Sequence, residues 1–441
     1  MLSMFDKLTR KKKFLFSGNM GGNNNPYTPS LYFPFALKSS LTAQAPDNLS
    51  LTFTRASSQT YFDSTGTLQT ATTNVAAFDY NPTTLVPLGL SMWEARTNSI
   101  RNNTMVGAVA GTPGTLPTNW VVANARGLTI NVTGTGTEKG IPYIDIQYVG
   151  TPSSSGAVTI STESDTQIAA LQNQSWTASI YPKFQAGSLT NVTNAGFAIK
   201  EINAGGSLIA SGATTYTPTA GTLGSVRQTA TYLLPDATAA FVNLRLDLTV
   251  TSGAAVDFTL RIGMPQLELG AFATPAILTT AAAATRAAPV CSTTNLGWYN
   301  ATEGTLLVSQ SYATGSLTAS PTEGQVVRIW DGSGSNIMSL RFVTDLTAPQ
   351  LDSVGIVSGV SQWDTAGYAS LTPNTTVKSA LAYAANNVAQ VTNGGTAQED
   401  TSCSIPVVDR LTFLLFRGGW IASLTYYPLR LPNATLQALS T

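Results

Sequence analysis

Val242-Asn-Leu-Arg-Leu-Asp-Leu248 is followed, after Thr251-Ser-Gly-Ala-Ala255, by Val256-Asp-Phe-Thr-Leu-Arg-Ile262. In both stretches every second residue is apolar and the residues between are polar or charged. A helix scatters such a pattern around its circumference. An extended strand points successive side chains to opposite sides and gathers all the apolar ones against a core. The short Ser/Gly/Ala segment between the two predicts a hairpin. The same alternation places Leu128, Ile130 and Val132 against Thr129, Asn131 and Thr133, and Ile144, Ile146 and Tyr148 against Asp145 and Gln147. Many strands with one dry and one wet face make stacked antiparallel sheets, so the expected fold is all-β: tandem antiparallel β-sandwiches. Helical signals are confined to Asp165–Gln174, with Asp165 as its N-cap, and to Asn433–Ser440.

Composition agrees with this class. Of 441 residues, 43% are hydrophobic and 10% charged, against about 25% charged in an ordinary soluble domain. Polar surface must therefore come from Thr, Ser, Asn and Gln, with 37 Gly and 22 Pro for turns. The length suits roughly three domains. The chain has no His, which excludes Ser-His-Asp triads, Cys-His dyads and His-bearing zinc sites. Its two cysteines, Cys291 and Cys403, lie far apart without CxxC spacing; two buried thiols are expected, a disulfide being the alternative. No stretch nears the roughly 18 apolar residues of a membrane helix, and no signal peptide or membrane insertion is expected.

Charge is uneven. Residues 1–46 hold Lys7, Arg10, Lys11, Lys12, Lys13 and Lys38 against Asp6, which leaves 17 basic and 22 acidic residues, a net −5, in the rest. The basic run precedes the linker-like Ser17-Gly-Asn-Met-Gly-Gly-Asn-Asn-Asn-Pro26, and reads either as a solvated tail or as an attachment arm. Five positive charges without interleaved aromatics make a poor nucleic-acid footprint, so no nucleic-acid partner is expected. Boundaries are expected in the unpatterned stretches 99–117 and 274–286, and no fixed-period repeat is present. The resulting division is an arm at 1–50, a linking segment at 51–117, a sandwich at 118–273, a connector at 274–286 and a second sandwich at 287–441.

Phe53-Thr-Arg-Ala-Ser-Ser-Gln-Thr-Tyr-Phe-Asp-Ser-Thr-Gly66, Phe78-Asp-Tyr-Asn-Pro82 and Trp93-Glu-Ala-Arg-Thr-Asn98 resemble a segment found in tailed-bacteriophage fibre, spike and head-spike proteins. In those proteins it precedes a carbohydrate-binding-module-like jelly roll, which would here run from Trp120 to Gln266-Leu-Glu-Leu-Gly-Ala-Phe272. Glu303-Gly-Thr-Leu-Leu307, Val377-Lys-Ser-Ala-Leu-Ala-Tyr383, Asn393-Gly-Gly395 and Trp420-Ile-Ala-Ser-Leu-Thr-Tyr-Tyr-Pro-Leu-Arg430 are similar to concanavalin A-like, laminin-G-type lectin sandwiches. The resemblance implies a structural, non-enzymatic virion protein made in the host cytoplasm and carried outside the tail or capsid. It implies attachment through Lys7, Arg10, Lys11, Lys12 and Lys13 to other virion proteins (tail, portal-adaptor or capsid), homotrimerisation, and binding of host surface polysaccharide. The alternative it leaves open is a head spike or decoration protein without receptor function; a tailspike depolymerase is third. No cofactor is expected.

Sugars offer an apolar ring face and a rim of hydroxyls, so a glycan site needs an aromatic beside acids or amides. Trp330-Asp331 and Trp363-Asp364-Thr-Ala-Gly-Tyr368 supply both in Gly/Ser-rich contexts, the alternative being core tryptophans beside turn-capping aspartates. Asp331-Gly-Ser-Gly-Ser-Asn336 lacks the carboxylates of a calcium loop and is expected to be a hairpin turn, with no metal. Glu163 and Asp165 could form a glycosidase pair, or be solvated acids at a helix start. Arg55, Glu94, Arg96 and Arg286, charges in a charge-poor chain, are expected to form structural ion pairs.

Overall fold

The computed structural model describes residues 28–46, 48–315, 323–344, 349–367, 371–413 and 418–441. Among them the strands form four large antiparallel sheets in two sandwiches, with two two-stranded ribbons. Helix is limited to Phe35–Lys38 and Asn433–Leu439, the second as expected.

One sandwich pairs a five-stranded with a six-stranded sheet around a core that runs from Ile100 to Leu267. The two diagnostic stretches are its strands Ala239–Val250 and Val256–Leu269, and their alternate apolar residues are buried in one core. They do not form the expected hairpin. Ala239–Val250 pairs with Val192–Asn203 and Gly156–Ser161 in one sheet; Val256–Leu269 pairs with Ile141–Gly150 and Ser175–Ser188 in the other. The segment 251–255 therefore crosses the roughly 10 Å between layers, and the two apolar faces meet through the core instead of lying side by side. The expected helix at 165–174 is also absent. Ile168–Ala169 instead forms a short strand on Ala239–Val250, with Ile168 and Ala170 buried, a spacing of two that a helix turn would break.

The other sandwich is discontinuous. Its eight-stranded sheet runs Gln398–Asp400, Val388–Thr392, Val377–Ala384, Glu303–Tyr312, Gly419–Tyr427, Pro87–Met92, Phe78–Tyr80, with Leu31–Phe33 also on Gly419–Tyr427. Its seven-stranded sheet begins with Thr52–Thr54 and Val290–Thr293 and continues through Arg410–Phe413, Glu323–Trp330, Ile337–Thr344, Pro349–Val357 and Val360–Gly367. The described part of the expected arm thus belongs to this sandwich. Leu31, Phe33 and Phe35 are fully buried, and Phe35 meets the edge of Phe413 at 5.6 Å. Each such side chain stabilises by about 1.5–3 kcal/mol, enough to hold a polar segment down. Cys291 and Cys403 are separate buried thiols.

The first sandwich is an insertion in the second. Chain enters and leaves it side by side, Arg96–Asn98 pairing with Ala284–Arg286. The stretch 274–286 is no loose connector: Thr274, Ile277, Thr279 and Arg286 are buried, tied by side chains. Asn98 and Asn103 each donate to the Ile277 carbonyl, and Glu268 accepts from both the backbone and hydroxyl of Thr274. Because side chains satisfy this backbone, the segment needs no strand alternation to be buried.

Candidate functional site

Between the sandwiches lies a cleft of about 420 Å³ whose walls come from both. From the discontinuous sandwich come Asp79, on edge strand Phe78–Tyr80, Trp93, just after Pro87–Met92, and Trp420, on Gly419–Tyr427. The insertion supplies Tyr181, on Ser175–Ser188, Arg227, just before Gln228–Leu233, and Phe272. Asp79 stands in the quoted motif at 78–82, Trp93 in that at 93–98, Phe272 in that at 266–272 and Trp420 in that at 420–430. Segments far apart in sequence therefore converge on one cavity.

Asp79 is the electrostatic centre of this cleft. Its Oδ1 accepts from the backbone N–H of Phe62 at 2.7 Å and of Tyr80 at 3.1 Å, and its Oδ2 from Trp420 Nε1 at 2.9 Å. Desolvation nevertheless outweighs these donors and pushes its pKa up to about 6. A carboxylate offers about four acceptor positions, so one remains for a ligand hydroxyl. Trp420 meets Trp93 edge-on at 5.3 Å, and Trp93 Nε1 donates to Ser91 Oγ. Gly418 makes room for that ring: its φ is +98°, and an added Cβ would lie 2.2 Å from the Trp93 indole.

Across the cleft Arg227 donates to the Thr274 carbonyl at 2.6 Å and Ser179 Oγ at 2.7 Å, its guanidinium 5.5 Å from the Tyr181 ring centroid. Its Nε is shielded and without a partner among the described residues. The cleft thus combines aromatic walls, a spare acceptor on one side and a guanidinium on the other. A vicinal diol can meet both, since each hydroxyl donates and accepts.

The residues expected from sequence are placed as follows. Trp330 is half-buried on the outer face of the seven-stranded sheet, its Nε1 donating to Thr412 Oγ1 at 3.0 Å. Asp331 folds into its own turn: Ser333 and Asn336 donate to its oxygens, and the Asn336 amide first, then Ser333, hold its pKa down to about 2. The turn is thus the expected hairpin. Trp363 is a correction: it is 2% exposed in the core, its ring against Gly355, and cannot face a sugar. Asp364, pointing the other way along the strand, is bound by Arg341. Tyr368 and the basic residues Lys7, Arg10, Lys11, Lys12 and Lys13 lie outside the described residues.

Of the structural charges, Arg96 pairs with Glu94 as expected, and its guanidinium lies 4.8 Å over Phe272 at the cleft wall. Arg55 and Arg286 bind carbonyls in place of carboxylates. Arg55 donates to the carbonyls of Ser57, Ala71, Thr72 and Val75; Arg286 donates to Pro275, Glu94 and the Thr274 hydroxyl. Burial lowers both to about 10, and the carbonyls they bind take the place that a carboxylate partner was expected to fill. Glu163 and Asp165 are likewise committed, to Arg101 and Lys200 respectively. Sequence patterns could flag Asp79, Trp93 and Trp420 within quoted motifs. Tyr181 and Arg227 carry no such signal, because nothing local reports which sandwich faces them.

No known family profile matches the chain, and no curated protein matches it. Among solved structures it is similar to the tandem CBM22 domains of Xyn10C from Paenibacillus barcinonensis, at 10% identity and a TM-score of 0.24, covering 74% of this chain and 97% of that one. Mouse laminin α1 domains LG4–5 give 10% identity and a TM-score of 0.21, covering 67% and 91%. A truncated AlyQ with CBM32 and alginate lyase domains gives 11% identity and a TM-score of 0.21, covering 76% and 97%. Similarity this slight transfers neither a site nor a ligand to this chain.

Proposed function

We propose that this chain is a structural protein of the exterior of a tailed-phage virion, a tail fibre or spike component, and that it holds a host-surface saccharide in the cleft between its sandwiches. The observation that carries the saccharide reading is the pairing, in one aromatic-walled cavity, of a spare acceptor on Asp79 with the Arg227 guanidinium on the facing wall. The virion reading is supported by the source of those walls, since Asp79, Trp93 and Phe272 stand in the phage-like segments. In this reading the basic segment at 1–46 attaches the protein to tail, portal-adaptor or capsid proteins. Several copies, as a homotrimer, would turn weak single sites into strong adhesion through effective concentration.

The test is titration of the intact chain with host surface polysaccharide, read by tryptophan fluorescence because Trp420 lines the cleft. Trp420→Phe keeps an aromatic wall but removes the N–H to Asp79; Arg227→Met removes the guanidinium from the facing wall. Binding weakened by about tenfold or more in both, with folding retained, supports the reading. Absence of binding by the wild-type chain displayed multivalently would leave the cleft as a joint between sandwiches and favour the head-decoration alternative.

A further inference from the structure

We propose that the outer face of the seven-stranded sheet carries a second site, in which the guanidinium of Arg328, laid on the indole of Trp330, captures the carboxylate of an acidic saccharide. The argument stands apart from the cleft. Strand alternation buries Val327 and Ile329 in the core, so Arg328 and Trp330 share the outward face. Register sets Arg328 beside Thr412 and Trp330 beside Arg410. The Arg328 Cζ lies 3.4 Å from the Trp330 centroid and that of Arg410 5.7 Å away, while the bond from Trp330 Nε1 to Thr412 fixes the ring.

Among the described residues, the charges on this face pair off and leave Arg328 over. Arg341 holds both Asp352 and Asp364, Arg410 holds Asp409, and Asp331 is occupied by its own turn. Arg328 makes no ion pair among the described residues, and its shielded Nε has no hydrogen-bond acceptor. Burial lowers its pKa. Stacking on the indole orients the guanidinium, and its two terminal nitrogens form the fork that matches a carboxylate bidentately. Asp364, at 56% side-chain exposure and three strands across the same sheet, is placed to accept hydroxyls from further along the same sugar chain.

The experiment is calorimetric titration of the intact chain with polygalacturonate, its methyl ester and poly-L-glutamate. Polygalacturonate is expected to bind, the methyl ester about tenfold more weakly or worse, and poly-L-glutamate more weakly than polygalacturonate. Arg328→Met, whose stem still covers Trp330, is expected to lose the same factor; Arg328→Lys, a charge without a fork, to fall between. Should Arg328→Met fail to fold, Arg328→Lys decides: unchanged affinity there overturns the proposal. It is also overturned if polygalacturonate does not bind, if the ester binds equally, or if poly-L-glutamate matches it. Trp420→Phe is expected to leave this binding unchanged, which separates failure here from failure of the cleft reading.

Discussion

At the scale of single residues, Asp79 joins stability to the cleft. Its carboxylate accepts from both the inter-strand backbone and Trp420, and burial raises its pKa from 3.8 to about 6. A raised carboxylate pKa means that the folded state holds the proton more tightly than the unfolded one, so stability falls as pH rises through this window. Between about pH 4 and 6 the effect amounts to roughly 3 kcal/mol, from about 1.4 kcal/mol per unit. Asp79→Asn removes that slope while setting an amide N–H₂ against either Trp420 Nε1 or the two backbone donors. Urea denaturation across pH 4–7 is therefore expected to show the variant about 1–3 kcal/mol less stable at pH 4, with the deficit shrinking as pH rises. A deficit that is constant with pH would contradict the burial argument. Gly355 gives a steric counterpart: an added Cβ would lie 2.1 Å from the Trp363 ring, inside the core. Gly355→Ala should cost about 1–3 kcal/mol by overpacking, and Gly355→Ala with Trp363→Phe should cost less than the sum of the two single changes.

At the scale of elements, the insertion makes a prediction about pieces. All of the core from Ile100 to Leu267 is internal to the first sandwich, whereas the second needs Leu31, Phe33, Phe35, Phe53, Leu90 and Met92 from before it. Residues 287–441 alone would leave strand Gly419–Tyr427 without Leu31–Phe33 and Pro87–Met92, and are expected to show no cooperative thermal transition. Residues 28–98 joined to 284–441 through Asn-Gly are expected to melt cooperatively, because Asn98 and Ala284 already face each other across a ladder. Circular dichroism melts distinguish the two. This is also where legibility in sequence ends. Alternation at Val242–Leu248 and Val256–Ile262 identified strands and their buried faces, but period two is silent on which neighbour a strand pairs with, hence the hairpin that is not there. Thr274 and Thr279 looked like linker because burial through side-chain hydrogen bonds leaves no periodic trace. The candidate site was legible in part for the same reason. The turn at Asp331 was legible, Trp363 stood in the same Trp-Asp pattern as Trp330 yet faces inward, and the cleft depends on contacts between residues such as Asp79 and Trp420, 341 positions apart.

At the scale of the whole molecule, two sandwiches with separate cores share one cleft, and the two proposed sites differ in what they span. The cleft takes walls from both sandwiches, while Arg328, Trp330 and Arg410 all belong to the discontinuous one. A ligand stabilises whatever unit must unfold to release it, by about 2.7 kcal/mol at a hundred times its dissociation constant. Calorimetric scans of the intact chain should therefore tell the sites apart without any mutation. Polygalacturonate at the Arg328 face is expected to raise only the transition of the discontinuous sandwich, and residues 28–98 joined to 284–441 should keep that shift in full. A saccharide in the cleft is lost when either wall melts, so it should raise the lower of the two transitions and draw it towards the upper, and the joined fragment, lacking Tyr181 and Arg227, should show no shift. If the cleft ligand moves the joined fragment as much as the intact chain, the insertion's wall contributes nothing to binding. The saccharide would then have to be sought on the discontinuous sandwich alone.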